Sequence, residues 1–182
     1  MFEFKRKLVH FVGLSVPALY WITTREIALG FAGFAAVCGI IIEVARKRSE
    51  GFNQYVLTIV GGFAREDESQ RVTGATCYAT AAFLAVLLFS ETVAVACLLF
   101  LALGDSVAAL VGTRIGAHKV FDKSVEGSIA CLVVCAVVGW ALLGTVGLYG
   151  AVAATIIEVV PAPVDDNLRI PLVSGGLMFL LI

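Results

Sequence analysis

Charge is scarce in this chain. Charged residues fill 15% of its 182 positions against 60% hydrophobic, and mean hydropathy is +0.98. So little polar surface cannot coat a soluble globule of this size. A basic excess is missing too, with 13 Lys and Arg against 14 Asp and Glu, which argues against a nucleic-acid partner held through its phosphates. No polar stretch can hold a core of its own, since the longest covers only residues 65–73. One membrane domain over 1–182 is the expectation. No small-residue cleavage pattern follows Lys5-Arg6-Lys7, so the first apolar run is expected to stay as an anchor. Cys-x-x-Cys spacing is absent. The five cysteines sit in apolar runs and, although Cys131 and Cys135 share a helical face, no His lies near them; they read as packing residues rather than metal ligands. Neither standard nucleotide fingerprint occurs, whether the phosphate-loop or the dinucleotide pattern.

What the chain does have is a series of apolar runs, at residues 8–21, 27–42, 75–89, 93–111, 128–143, 148–160 and 170–182. Measured against the roughly 20 residues that a helix needs to cross hydrocarbon, they predict an all-α polytopic membrane protein of about seven transmembrane helices. Several runs are short, and their ends must recruit polar flanks or thin the bilayer. A further stretch at 52–63, interrupted by Asn53, Gln54 and Gly61-Gly62, reads as an interfacial or re-entrant segment. With the N-terminus cytoplasmic, all Lys and Arg but Arg25 fall inside. That asymmetry predicts an odd number of spans. It also collects His10, Glu43, Asp105, Glu126 and Glu158 on the cytoplasmic side, whereas a transporter would set some of them near the midplane.

Asp105 is the costly residue. A carboxylate in an apolar span costs about 2.5–3.5 kcal/mol on insertion scales, and this one leads into a basic loop punctuated by glycine. Phosphoryl transfer needs carboxylates for a divalent cation, cationic side chains for phosphate, and accessible backbone N–H groups. The loop offers Arg114, Lys119 and Lys123, glycines Gly112 and Gly116, and Ser124 with Gly127 where a helix begins. A positive-inside connector with a capping serine and close-packed small residues would look the same. The residues alone leave both readings open. A second constellation spans 158–167, where two prolines break a helix and Asp165-Asp166 follow. Adjacent acids facing inward call for a cation; capping of the last helix by Asp165, Asp166 or Asn167 is the alternative.

Gly104-Asp105-Ser106-Val107-Ala108-Ala109-Leu110-Val111-Gly112, then Lys119, then Lys123-Ser124-Val125-Glu126-Gly127-Ser128, together with the 158–167 element and Arg6-Lys7-Leu8-Val9-His10, resembles the CTP-dependent polyprenol kinase family. That family includes dolichol, phytol and farnesol kinases and CTP-dependent diacylglycerol kinases. Arg65-Glu66 through Thr73-Gly74-Ala75-Thr76 also resembles its middle section, so the likeness runs along nearly the whole chain.

The resemblance implies transfer of the γ-phosphoryl group of CTP, with Mg²⁺, to the hydroxyl of a membrane lipid alcohol of polyprenol, phytol, farnesol or geranylgeraniol type. On it, Asp105 is the main acidic centre and Glu126 a second acid. Lys123 serves both catalysis and nucleotide binding, with Lys119 and Ser124 also on the nucleotide. The residue chemistry adds Arg114, Gly116 and Gly127 to the nucleotide contacts and makes Asp105, Glu158, Asp165 and Asp166 the expected metal edge. Further candidates are Arg6, Lys7, His10, Glu43, Arg65, Glu66 and Asn167; His10 reads equally well as a hydrogen-bonded helix residue. Which acid takes the alcohol proton stays open. The bilayer and CTP are the expected partners, and a homo-oligomer is compatible with the sequence. Phosphatidate cytidylyltransferases are similar over the central region but continue into a C-terminal tail that this chain lacks; its Asp165-Asp166-Asn167-Leu168 ending resembles the lipid kinases instead. A non-enzyme, such as a small transporter or scaffold, would carry polar residues into the outer half of the bundle.

Overall fold

The computed structural model describes residues 13–60 and 72–182. Among them are nine α-helices: α1 (Ser15–Ile22), α2 (Arg25–Arg48), α3 (Glu50–Val60), α4 (Gly74–Leu88), α5 (Glu91–Leu99), α6 (Ser106–Ile115), α7 (Val125–Leu143), α8 (Thr145–Val159) and α9 (Asp166–Leu181). A π-helical turn, Phe100–Asp105, joins α5 to α6 without a break, and an antiparallel hairpin of β1 (Lys119–Val120) and β2 (Lys123–Ser124) precedes α7. The all-α expectation holds apart from this hairpin.

Three helices are long and apolar enough to cross a membrane, namely Arg25–Arg48, the continuous Glu91–Ile115, and Val125–Leu143. Gly74–Leu88 and Thr145–Val159 are apolar but shorter, at 15 residues each, and α9 adds 16 residues around Pro171. Each described apolar run is thus helical, while spanning length is met by three of them. The 52–63 stretch is helical as far as Val60, as α3 packed against α2, and its described side chains are mostly exposed.

Large apolar side chains cover the outer surface of the bundle as well as its core. Along α2, Ala28, Ala32 and Ala36 are buried while Phe31, Phe34, Ile40 and Ile41 face outward. Small residues at a four-residue repeat bring helices together where lipid tails offer no competing hydrophobic drive. Ala81, Ala82 and Ala85 supply the small face on α4, which packs on α2. α7 and α8 approach to backbone contact, where a Cβ added to Gly147 would stand 1.9 Å from the Gly139 carbonyl oxygen. The centre belongs to α5, the π turn and α6: 61% of that helix's apolar window is buried, against 22% for α2 and for α7. α7 packs on α8, α8 on α9, α9 on α4 and α4 on α2, surrounding it. At one end of the bundle, Arg25 donates to the Val86 and Leu87 carbonyls that close α4, a cation on a helix C-terminus.

Candidate functional site

The other end of the bundle opens into a cavity of about 1190 Å³ lined by parts of α2, α4, α6, α7, α8, the hairpin and the α8–α9 connection. Four local features build its polar wall. The π turn delivers Asp105: Gly104 lies so close to the Cys131 and Cys135 sulfurs of α7 that an added Cβ would meet the latter at 2.5 Å. A π turn closes i→i+5 bonds, so the residues beyond it are rotated relative to a regular helix. The hairpin delivers Lys119 and Lys123. Pro161 and Pro163 end α8 just after Glu158, and the chain then turns into α9 with Asp165 as N-cap and Asp166 as first residue.

These pieces meet at Lys123. Its Nζ lies 2.9 Å from Glu158 Oε1, 3.4 Å from Asp166 Oδ2 and 3.8 Å from Asp105 Oδ1. Glu158 is almost wholly buried, at 2% side-chain exposure, so its charge requires this partner. Burial pulls the Lys123 pKa down, but the charges of Asp105, Glu158 and Asp166 and the Glu158 hydrogen bond outweigh it and hold the pKa above its ordinary value. Arg169 Nη1 adds a contact to Asp166 Oδ1 at 3.2 Å. With every group ionised, the three carboxylates exceed these two cations by one negative charge.

Ser124 is the N-cap of α7, its Oγ accepting from the Gly127 N–H at 3.1 Å. Ser128 Oγ donates to the Ser124 carbonyl at 3.0 Å and to Glu158 Oε2 at 3.4 Å. Gly127 and Gly112 allow α6 to approach this cap: added Cβ atoms would fall 2.6 Å from the Ala108 carbonyl oxygen and 2.7 Å from Ser124 Oγ. The helix-capping and close-packing alternative is therefore realised, and the same residues still line the cavity.

The remaining expected residues divide. Asp105, Lys119, Lys123, Ser124, Gly127, Glu158, Asp165 and Asp166 line the cavity together. Asp165 and Asp166 diverge: Asp165 Oδ1 accepts from the Asn167 N–H at 2.9 Å and from Asn167 Nδ2 at 2.7 Å, while Asp166 turns to Lys123 and Arg169. Arg114, Gly116, Glu126 and Asn167 are not in the cavity wall. Glu126 instead receives His118, whose Nδ1 is 2.7 Å from Oε1 and whose N–H donates to both carboxylate oxygens. Glu43 is buried in its own network: Oε1 accepts from Arg46 at 3.0 Å, from the Thr73 N–H at 3.0 Å and from Thr73 Oγ1 at 2.7 Å. Thr76, which reaches the same oxygen at 3.5 Å, lines the cavity, so Glu43 touches the site through α4. Arg6, Lys7, His10, Arg65 and Glu66 lie outside the described residues. Lys47, Thr80, Phe121 and Asp122 also line the wall without any sequence signal for it, and so do Thr76 and Ser128, which the motifs contain without assigning them a role. By sequence, Lys47 is one more inner-side cation of the Arg46-Lys47-Arg48 run.

As a metal edge, the set is incomplete by itself: among the described residues no three ligating side chains stand together at metal-holding spacing. Its chemistry is nevertheless that of a hard cation. Oxygen-only donors suit Mg²⁺, which keeps waters and takes one or two carboxylates plus substrate phosphates.

No family model matches the sequence, and no solved structure matches it. Three proteins are similar over most of their length. A Methanocaldococcus jannaschii protein described as uncharacterised is 28% identical over 181 residues, covering 95% of this chain and 91% of that one. An uncharacterised Rickettsia prowazekii protein is 26% identical over 185 residues, covering 94% and 90%. CTP-dependent diacylglycerol kinase 1 of Schizosaccharomyces pombe is 27% identical over 165 residues, covering 76% and 74%. With its apolar helices, the chain is a membrane protein distantly similar to that kinase.

Proposed function

We propose that this protein is a CTP-dependent lipid kinase that phosphorylates the hydroxyl of a membrane lipid alcohol at the cytoplasmic face of a bundle of seven spans. The observation that carries the reading is the cluster at Lys123, one ammonium among Asp105, Glu158 and Asp166, in a cavity also lined by Lys47 and Lys119. Cations for a triphosphate and carboxylates for a proton or a divalent ion thus share one wall, and phosphoryl transfer asks the protein for little else. The similarity to the Schizosaccharomyces pombe enzyme supports the donor and the reaction class.

Lys119 and Lys123 hold the triphosphate, and Lys123 in turn is aimed by Glu158. Mg²⁺, when bound, would supply charge neutralisation on the phosphates; Asp105 and Asp166, which meet at Lys123, would hold it. The lipid hydroxyl oxygen bonds to the γ-phosphorus, the bond from that phosphorus to the β–γ bridging oxygen breaks, and CDP leaves with the electron pair. The hydroxyl proton passes to a carboxylate of the cluster. Apolar wall residues Ile40, Val72 and Leu168 give the lipid body an approach from the bilayer.

Two acceptor classes stand. The sequence motifs resemble polyprenol-type kinases, and the similarity to a diacylglycerol kinase favours diacylglycerol as the second reading. Purified protein given γ-labelled CTP or ATP and a panel of dolichol, phytol, farnesol, geranylgeraniol and diacylglycerol decides both. A labelled lipid monophosphate with CDP is the expected product. A CDP-lipid with pyrophosphate, or no transfer to any of these alcohols, would overturn the proposal.

A further inference from the structure

Phe121 has a φ of 54°, the single positive value among the described non-glycine residues. It is the first of the two residues that join β1 to β2, between the paired Val120 and Lys123. Two-residue hairpin loops needing a positive φ there ordinarily take glycine or asparagine, and for a bulky side chain this conformation is an outlier. Core packing does not compensate, because Phe121 is 66% exposed. Its neighbour Asp122 also lines the cavity, and among the described residues it makes no hydrogen bond or ion pair. A strained, uncovered aromatic ring and an unpartnered carboxylate therefore stand side by side on the ribbon that carries Lys119 and Lys123.

We propose that the Phe121-Asp122 turn is the base-recognition element of the site: the ring stacks on the nucleobase, and the Asp122 carboxylate accepts a hydrogen bond from its exocyclic amine. The assignment rests on the nucleotide-dependent reading above. An aromatic platform that binds a base must present an open face in the free protein, which explains why the ring is not buried. A carboxylate distinguishes cytosine, whose N4 amine donates, from uracil, whose O4 does not. The hairpin thus sets both ends of the nucleotide, with phosphates on its lysines and base on its tip.

Phe121→Gly separates this role from a structural one, since glycine forms the turn without strain. The full chain in detergent should melt no lower than the wild type, while its KM for CTP rises at least about fivefold. The KM for the lipid alcohol and inhibition by inorganic tripolyphosphate should not change. Asp122→Ala should lower the preference for CTP over UTP by about tenfold. Phe121→Trp supplies a fluorescence reporter, expected to be quenched by CTP and not by tripolyphosphate. An unchanged KM for CTP in Phe121→Gly, or a rise confined to the lipid, would overturn the proposal and make the ring a membrane-surface anchor. Quenching by CTP in a protein that phosphorylates no alcohol would instead keep the base site and remove the kinase reading.

Discussion

A lysine ammonium is a compact charge with three donors, and at Lys123 it has three carboxylates to serve. Removing it as Lys123→Met leaves Glu158 buried without its cation and sets three acids against one another. The expected loss is roughly 1–2 kcal/mol, reduced from a fully buried pair because the side chain is partly exposed. The sign of its pH dependence follows from the raised pKa. Stability from Lys123 is complete below the ordinary lysine value of 10.5 and is lost as pH rises through the higher folded value. Thermal melts in detergent should show a constant gap between wild type and Lys123→Met from about pH 7 to about pH 9, closing above roughly pH 10.5. A gap that instead widens in alkali would contradict the assignment.

Asp105→Asn keeps shape and removes the charge, so folding and membrane insertion should persist while lipid phosphorylation falls by about 10²-fold or more. Near-normal turnover would remove Asp105 from the mechanism. Asp105 and Glu158 were legible in the sequence because charge inside an apolar run is conspicuous. Lys47 and Asp122 were not, since single charges at helix ends and turns look like ordinary surface. Glu126 shows the limit of spacing: it lies two residues from Ser124, yet its carboxylate faces His118 rather than the cavity.

Between elements, backbone contact replaces side-chain contact. Gly147→Ala would drive a methyl into the Gly139 carbonyl, and α7 and α8 would have to separate. An overpacking cost of about 1–3 kcal/mol is expected. Gly30→Ala on α2 is the control, because an added Cβ there meets nothing within 4 Å and the helix gains propensity. Paired melting curves should show the first variant lowered and the second unchanged or raised; equal shifts would refute the packing argument. The helices themselves could be read from apolar runs because hydrophobicity needs no partner to be recognised. The π turn could not. Its geometry accompanies the contact of Gly104 with Cys131 and Cys135, residues of another helix. Nor could the hairpin, whose two-residue strands are too short for alternation to show.

At the scale of the whole molecule, a chain that passes back and forth through one bundle must return to the same end at every second turn. The cavity wall obeys this rule: it takes the C-terminal part of α2, the start of α4, the C-terminal part of α8 and the starts of α7 and α9. The turn between α7 and α8 falls at the opposite end. The excess of Lys and Arg at the cavity end predicts that this end is cytoplasmic. In a background with all five native cysteines replaced, Asp122→Cys should react with a membrane-impermeant maleimide only in inside-out vesicles. Thr145→Cys, two residues beyond the end of α7, should react only in right-side-out vesicles. Labelling of both from one side would mean that α7 does not cross the bilayer, and a lipid hydroxyl would then have to reach the cavity from the membrane surface rather than between helices.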